Sequence, residues 1–244
     1  MNLWSFFIFS QEQIEIKNDN VKPGFINIFS YGYDISGADL GKRYGGNFHV
    51  SISPTYYFNN TNFSLGINAD FLFGYNVKIN PFDNLITFDG QIINTEHYLS
   101  ALTTSERGYI AGIFASKIFP FQDINKRHGI RLDLGVGYMS TWIRFKDELG
   151  SIPQLEGEYL KGYDRMSNGW ALKEFIGYQY LKKKSKINFT TGFEFLQGFT
   201  KSIRGYNYDL GLQDNENRLE LLFGVKIGWI LPIYIENSPE EIYY

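Results

Sequence analysis

The chain is 244 residues long, enough for one domain, and its net charge of -3 and pI near 5.7 leave no basic footprint for nucleic acid. It has no cysteine, 18% aromatic residues, 25 glycines and a mean hydropathy of -0.25. No apolar run reaches the roughly 18 residues of a spanning helix, which excludes a helical membrane protein. Strands that alternate apolar and polar residues escape that test, because each averages to near neutrality.

In chain order, residues 1–10 form an apolar stub that reads as the tail of a secretory signal without its basic start, with Gln11 first in the mature chain. A polar segment, 11–23, follows. Alternation with a period of two, which sends successive side chains to opposite faces, then recurs eight times. The predicted strands are 24–33, 47–58, 62–77, 108–119, 129–145, 168–181, 186–200 and 218–231. In the third, Phe63, Leu65, Ile67, Ala69, Phe71 and Phe73 alternate with Ser64, Gly66, Asn68, Asp70 and Gly74. Soluble strands usually stop at about five or six residues. Strands this long, tilted by about 45°, cross a bilayer.

The connections alternate in length. Those at 59–61, 120–128 and 182–185 are short, and those at 34–46, 78–107, 146–167 and 201–217 are long. A soluble sandwich, the competing fold, has no reason to produce this. The expectation is an all-β fold: an eight-stranded antiparallel transmembrane β-barrel with long extracellular loops and short periplasmic turns, both termini lying in the periplasm. The barrel spans 24–234, followed by a periplasmic tail at 235–244.

The last strand carries Lys226, Gly228, Leu231 and Ile233, in the order polar, x, Gly, x, x, apolar, x, apolar. With this pattern the chain resembles the small eight-stranded outer-membrane barrels of OmpA and OmpX architecture. Its wealth of Phe, Tyr, Asn and Lys is similar to members from Bacteroidota. The resemblance implies that those four residues are read by barrel-assembly machinery. Relatives often stop at a terminal aromatic residue, whereas here residues 236–244 extend beyond the strand, and Pro232 must sit at its end.

The polar face carries Asp70, Arg131, Asp133, Glu194, Glu220 and Lys226, with His49 in the same pattern. An eight-stranded barrel has a lumen only wide enough for side chains. Buried charges must pair, so these predict an ion-pair plug. Strand six breaks the rule: if Trp170, Leu172, Ile176, Tyr178 and Tyr180 face lipid, so does Glu174. A bulge near Gly177 that turns Glu174 inward is the favoured relief. The alternative makes Glu174 an intramembrane interface with a partner.

Catalytic chemistry has little to stand on. His97 lies beside Glu96 with Ser100 following, in a loop without supporting spacing; His49 reads as a lumen residue and His128 as a turn residue. Asp209, Asp214 and Glu216 do not follow a calcium-loop spacing and read as a solvated acidic loop. Lys182, Lys183, Lys184 and Lys186 make a basic turn. No cofactor or metal is expected. The long loops are richer in apolar residues than free loops need, and Phe82, Phe88, Tyr98, Leu155, Tyr159 and Tyr163 are candidates either for a cap over the mouth or for docking a partner. The resulting expectation is a structural or accessory subunit, binding partner proteins through its extracellular loops or outer wall. A narrow channel or transporter competes, and an outer-membrane lipid-modifying enzyme comes third. Expected partners are outer-membrane lipids, the barrel-assembly machinery and other outer-membrane or surface proteins, in secretion, assembly or uptake machines.

Overall fold

The structure, a computed structural model, describes residues 24–58, 61–121, 127–147, 152–182 and 187–233. The signal-like stub, the segment up to residue 23, the tail from residue 234 and Lys183, Lys184 and Lys186 lie outside the described residues. The described strands are β1 (Gly24–Gly37), β2 (Gly46–Tyr57), β3 (Phe63–Gly74), β4 (Gln91–Ile93), β5 (Leu99–Pro120), β6 (Gly129–Asp147), β7 (Ser167–Tyr180), β8 (Phe189–Ser202), β9 (Gly205–Asn207), β10 (Leu212–Asp214) and β11 (Asn217–Ile233). Eight of them are long and pair antiparallel in the order β3-β2-β1-β11-β8-β7-β6-β5, and β5 pairs back onto β3. The sheet is therefore closed, as the eightfold alternation predicts.

The wall is inverted relative to a soluble barrel. Leu65, Ile67, Ile113, Leu134, Phe193 and Ile227 point outward and are each more than half exposed, while His49, Asp70, Arg131, Glu194 and Glu220 are buried inside. In water this would leave a continuous apolar belt uncovered; in a bilayer it is the stable arrangement. Aromatic pairs tile the belt across neighbouring strands, among them Phe195 with Phe223 at 4.6 Å and Tyr33 with Phe48 at 5.0 Å between ring centroids.

Inside, the barrel is filled in layers. Ile26, Ile28, Tyr57, Ile118, Leu181 and Ile230 form an apolar floor at the end where β2 turns into β3. Nearer the other end, Leu72, Ile110, Met139, Ala171, Leu196 and Leu222 pack with Leu40 and Tyr44. Those last two come from a short helix, α1 (Ala38–Arg43), and the residue after it, folded down into the mouth between β1 and β2. The polar groups lie between and around these layers.

Two strand boundaries differ from the alternation reading by more than three residues. β1 runs on to Gly37, and β5 begins at Leu99 rather than at residue 108. The extra length of β5 pairs with the upper part of β6, Leu102 facing Asp147 and Ser105 facing Arg144. The outward positions Thr103 and Arg107 break the apolar rhythm there, because strands that rise beyond the hydrocarbon no longer need a greasy outer face, while Glu106 between them is buried inside.

Substitution on the outer belt separates the two environments. Leu134→Arg is expected to cost about 2–4 kcal/mol in a bilayer if the position lies near the midplane, and close to nothing if the wall faces water. Reversible urea unfolding of the barrel in lipid vesicles measures the difference.

Candidate functional site

Three places gather chemistry: the lumen, one spot on the outer wall, and the mouth. In the lumen, neighbouring strands bring inward positions to one level. Lys173 from β7 is ion-paired with Asp70 from β3 and lies 3.2 Å from Glu194 Oε2 from β8; Lys226 from β11 is ion-paired with the same Glu194 oxygen. The Asn68 side-chain amide donates to Asp70 at 3.0 Å. His49 Nδ1 lies 2.7 Å from Asp34 Oδ2, and its Nε2 lies 3.5 Å from Glu194 Oε1. Glycine makes room for this pair: a Cβ at Gly32 would overlap the His49 ring, and one at Gly224 would overlap the Asp34 carboxylate.

A second network lies nearer the floor. Arg131 donates to Asp133 at 2.7 Å and to the Gln179 side-chain carbonyl at 3.0 Å, which also accepts from the Tyr57 hydroxyl at 3.0 Å. A third lies nearer the mouth, where Arg43 reaches in from α1 to pair with Glu220. Glu220 also accepts from Thr200 at 2.8 Å and from Ser167 at 3.1 Å. Asp70, Arg131, Asp133, Glu194, Glu220 and Lys226 thus each have a charged partner inside the barrel, in three separate networks.

Asp34, His49 and Glu194 bring one ligand atom each within 4.8 Å of one another, a spacing that suits a metal ion. The donor set argues otherwise. Glu194 already holds Lys173 and Lys226, so a divalent ion would sit against two ammonium groups. Beside them, Arg131, Asp133, Lys173, Lys226, Ser53 and Thr190 line a cavity of about 30 Å³, room for a water molecule or two.

Several of these residues fall outside the sequence reading. Lys173 is assigned inward by the same alternation that sends Leu172 and Glu174 outward, so its signal was present. Asp34 falls in a predicted connection, although Tyr31, Tyr33 and Ile35 continue the alternation past it. Arg43 had no local signal, since only the inward fold of α1 brings it to Glu220.

On the outer wall, the bulge expected near Gly177 is absent. β7 pairs with β6 and β8 in unbroken register through Glu174, Phe175, Ile176 and Gly177. Glu174 therefore points outward, beside Leu134 and Phe195. It sits in a shallow groove of about 570 Å³ that Ile176, Phe193 and Phe223 also line. The Lys226 ammonium and Gly228 of the carboxy-terminal pattern both lie on the inward face of β11.

At the mouth, Phe82 is fully buried with Ile92 and Ile152, and Leu155, Tyr163, Leu102 and Phe145 pack against them. The Phe82 ring stacks on Tyr163 at 4.5 Å and meets Phe145 edge-on at 5.0 Å. Phe82, Leu155 and Tyr163 are thus committed to a small cap core and are withdrawn as docking residues. Phe88, Tyr98 and Tyr159 stay exposed.

Two of the three acidic loop residues, Asp209 and Asp214, are ion-paired, and Glu216 is exposed as expected. Arg165 holds Asp209 at 2.5 Å, and Arg218 pairs with Asp214, which also accepts from the Asn207 amide at 3.2 Å. The Ser100 hydroxyl donates to Asp147 instead of facing His97, and among the described residues no hydrogen bond joins His97 to Glu96 or Ser100. His128 Nε2 lies 2.5 Å from the Tyr178 hydroxyl, within an aromatic cluster with Phe121 and Tyr180.

No family model matches the sequence, and no curated protein matches it significantly. Among solved structures the chain is similar to Neisserial surface protein A, with 15% identity, a TM-score of 0.45, and coverage of 84% of this chain and 96% of that one. It is also similar to Ail, the attachment invasion locus protein of Yersinia pestis, solved with the heparin analogue sucrose octasulfate, at 10% identity, a TM-score of 0.46, and coverage of 86% and 99%. The outer membrane protein OprG from Pseudomonas aeruginosa gives 13% identity, a TM-score of 0.44, and coverage of 86% and 97%.

Two outcomes follow from the ion pairs. Glu194→Gln takes the ion-pair partner from Lys226 and leaves Lys173 with Asp70 alone, and is expected to cost about 3–5 kcal/mol, whereas Glu194→Met combined with Lys226→Met should cost less. Unfolding of both variants in vesicles compares them. At the mouth, burial tends to raise the Asp214 carboxyl, but Arg218 and Asn207 outweigh it and hold the group below its usual 3.8. A carboxyl lowered in the fold contributes stability above its unfolded value and loses it as pH falls through the folded one. Hydrogen exchange across residues 205–214 should therefore accelerate below about pH 4, ahead of the barrel strands.

Proposed function

We propose that the chain is an outer-membrane β-barrel that serves as a structural or accessory subunit, docking other membrane or surface proteins through its mouth and outer wall. The termini then lie in the periplasm and the mouth faces outward from the cell. The observation that carries the reading is what remains at the mouth once the cap has formed its own core. Phe88, Ile93, Tyr98 and Leu99 on one loop, and Tyr206, Tyr208, Leu210 and Leu212 on the β9–β10 hairpin, are all still exposed. Apolar groups clustered at one end of a molecule, beyond what its own fold consumes, mark an interaction surface. Tyrosine suits such a surface because it brings large area at low entropic cost and a polar tip that tolerates water.

The filled lumen supports the same reading and counts against the competitor. Apolar side chains close the interior above and below the charged layers, so nutrients have no path. A narrow channel has one observation in its favour, the cavity of about 30 Å³ beside Lys173.

Mild-detergent extraction of the tagged protein from its native membrane tests the proposal. The expected result is a discrete complex of fixed stoichiometry and no conductance in planar bilayers. Phe88→Ser combined with Tyr98→Ser should deplete the complex without altering the fast migration of the unboiled barrel. A lone monomer that conducts ions would overturn the proposal in favour of the channel.

A further inference from the structure

Among the described residues, none compensates a carboxylate at Glu174. The unbroken register of β7 fixes its outward aim, and among the described residues it has no hydrogen-bond or ion-pair partner. Along β7 it lies four residues from Trp170 and four from Tyr178, aromatic residues of the kind that mark the two membrane interfaces. At about 3.3 Å per residue and a tilt of about 45°, either interface is roughly 9 Å away. That is farther than a glutamate side chain spans, so it has no route to water. Leu172 and Ile176 flank it along the strand, and Leu134 and Phe195 flank it across the sheet.

The other outward charges sit elsewhere. Lys117 lies toward the floor, its ammonium 4.9 Å from the Phe63 ring and 5.2 Å from the Phe119 ring, and Arg107 lies toward the mouth over Tyr75 at 5.8 Å. A second copy of this chain, brought wall to wall about a twofold axis, would set carboxylate against carboxylate at this depth. The complement has to come from a different protein.

We propose that Glu174, with the groove formed by Leu134, Ile176, Phe193, Phe195 and Phe223, is the seat of a second membrane protein that presents a lysine or arginine at mid-bilayer depth within an otherwise apolar surface. The inference rests on the accessory-subunit reading and assigns that subunit its intramembrane contact. Each charge alone is costly in hydrocarbon, and the two together relieve each other in a medium of low dielectric constant. Between two greasy walls lipid competes on equal terms, so the ion pair supplies what the hydrophobic effect does not. It also fixes the register in which the walls meet.

The test compares wild type, Glu174→Leu and Glu174→Lys, each extracted in mild detergent from the native membrane and sized by native electrophoresis, with barrel folding checked by the mobility of the unboiled protein. The wild type is expected in a discrete complex, and Glu174→Leu should lower the fraction in that complex by roughly 30-fold or more, as loss of a buried charge pair does. The isolated barrel should respond in the opposite direction. Glu174→Leu removes a charge from lipid, so the unboiled band should survive to a higher temperature. Glu174→Lys should abolish the complex, and a glutamate at the partner's facing cation should restore it; if Glu174→Lys fails to fold, Glu174→Leu decides alone. A complex that survives both substitutions overturns this seat and leaves the accessory-subunit reading standing. A wild-type chain that runs alone overturns that reading and this one with it. A Glu174→Leu barrel that loses both the complex and its heat resistance assigns Glu174 a structural role and overturns the seat.

Discussion

The closure of the hydrogen-bond ladder between β1 and β11 governs everything else in this molecule. Hydrocarbon offers no water to an unpaired peptide group, and each one left open there costs several kcal/mol. A sheet can enter the bilayer only if it has no edge. Once closed, every position in the spanning part of a strand faces either lipid or the lumen, and the period of two makes those fates alternate. Outward positions then accept what lipid accepts. Inward positions must satisfy one another in a space that eight strands leave barely wide enough for side chains.

That second demand explains why the interior is both charged and dense. A lumen side chain cannot escape to solvent, so each charge must find its partner within reach inside the barrel. Lys173 reaches Asp70 and Glu194, and Glu194 in turn holds Lys226, so one level ties together four strands that are far apart in sequence. The low dielectric around this level strengthens each pairing and raises the cost of breaking one. Glycines at positions 32 and 224 belong to the same arrangement, because only an absent side chain lets Asp34 and His49 lie side by side. The result is a densely filled barrel whose free surfaces are its outer wall and its two ends.

How far the sequence discloses this depends on whether a signal is periodic or positional. The eight strands are legible because alternation is imposed on every residue of a spanning strand at once. The inward aim of Arg131, Glu194 and Lys226 follows from the same rhythm. Where strands leave the lipid the rhythm lapses, which hid the upper half of β5 and, with it, Glu106. Arg43 was invisible because a loop helix folding into the mouth has no period to betray it. Cap and docking surface stayed undivided for a related reason: composition reveals an excess of apolar residues in the loops, but only packing tells Phe82, which is consumed, from Phe88, which is not. At Glu174 the rhythm was right and the inference from energy was wrong. A bulge would have spared the barrel a charge in lipid, yet the ladder stays in register.

That choice can be weighed. A bulge in β7 would unpair backbone groups against both β6 and β8, inside hydrocarbon, where such groups are costly. An outward carboxylate at mid-depth costs up to a few kcal/mol, and less than a basic residue in the same place. The ladder is therefore the stronger constraint, and the side chain bears the mismatch. A cost that falls on one side chain, on the outside of a rigid wall, is removed by a single complementary group arriving from elsewhere, whereas a cost spread along a bulged strand is not. This is why a barrel with a closed interior can keep a charge in lipid. The mouth offers area without much discrimination, since exposed tyrosines and leucines accept many surfaces, whereas a lone acid at mid-depth accepts few. Two contacts at different heights on one filled barrel would also fix a partner's tilt, which neither achieves alone.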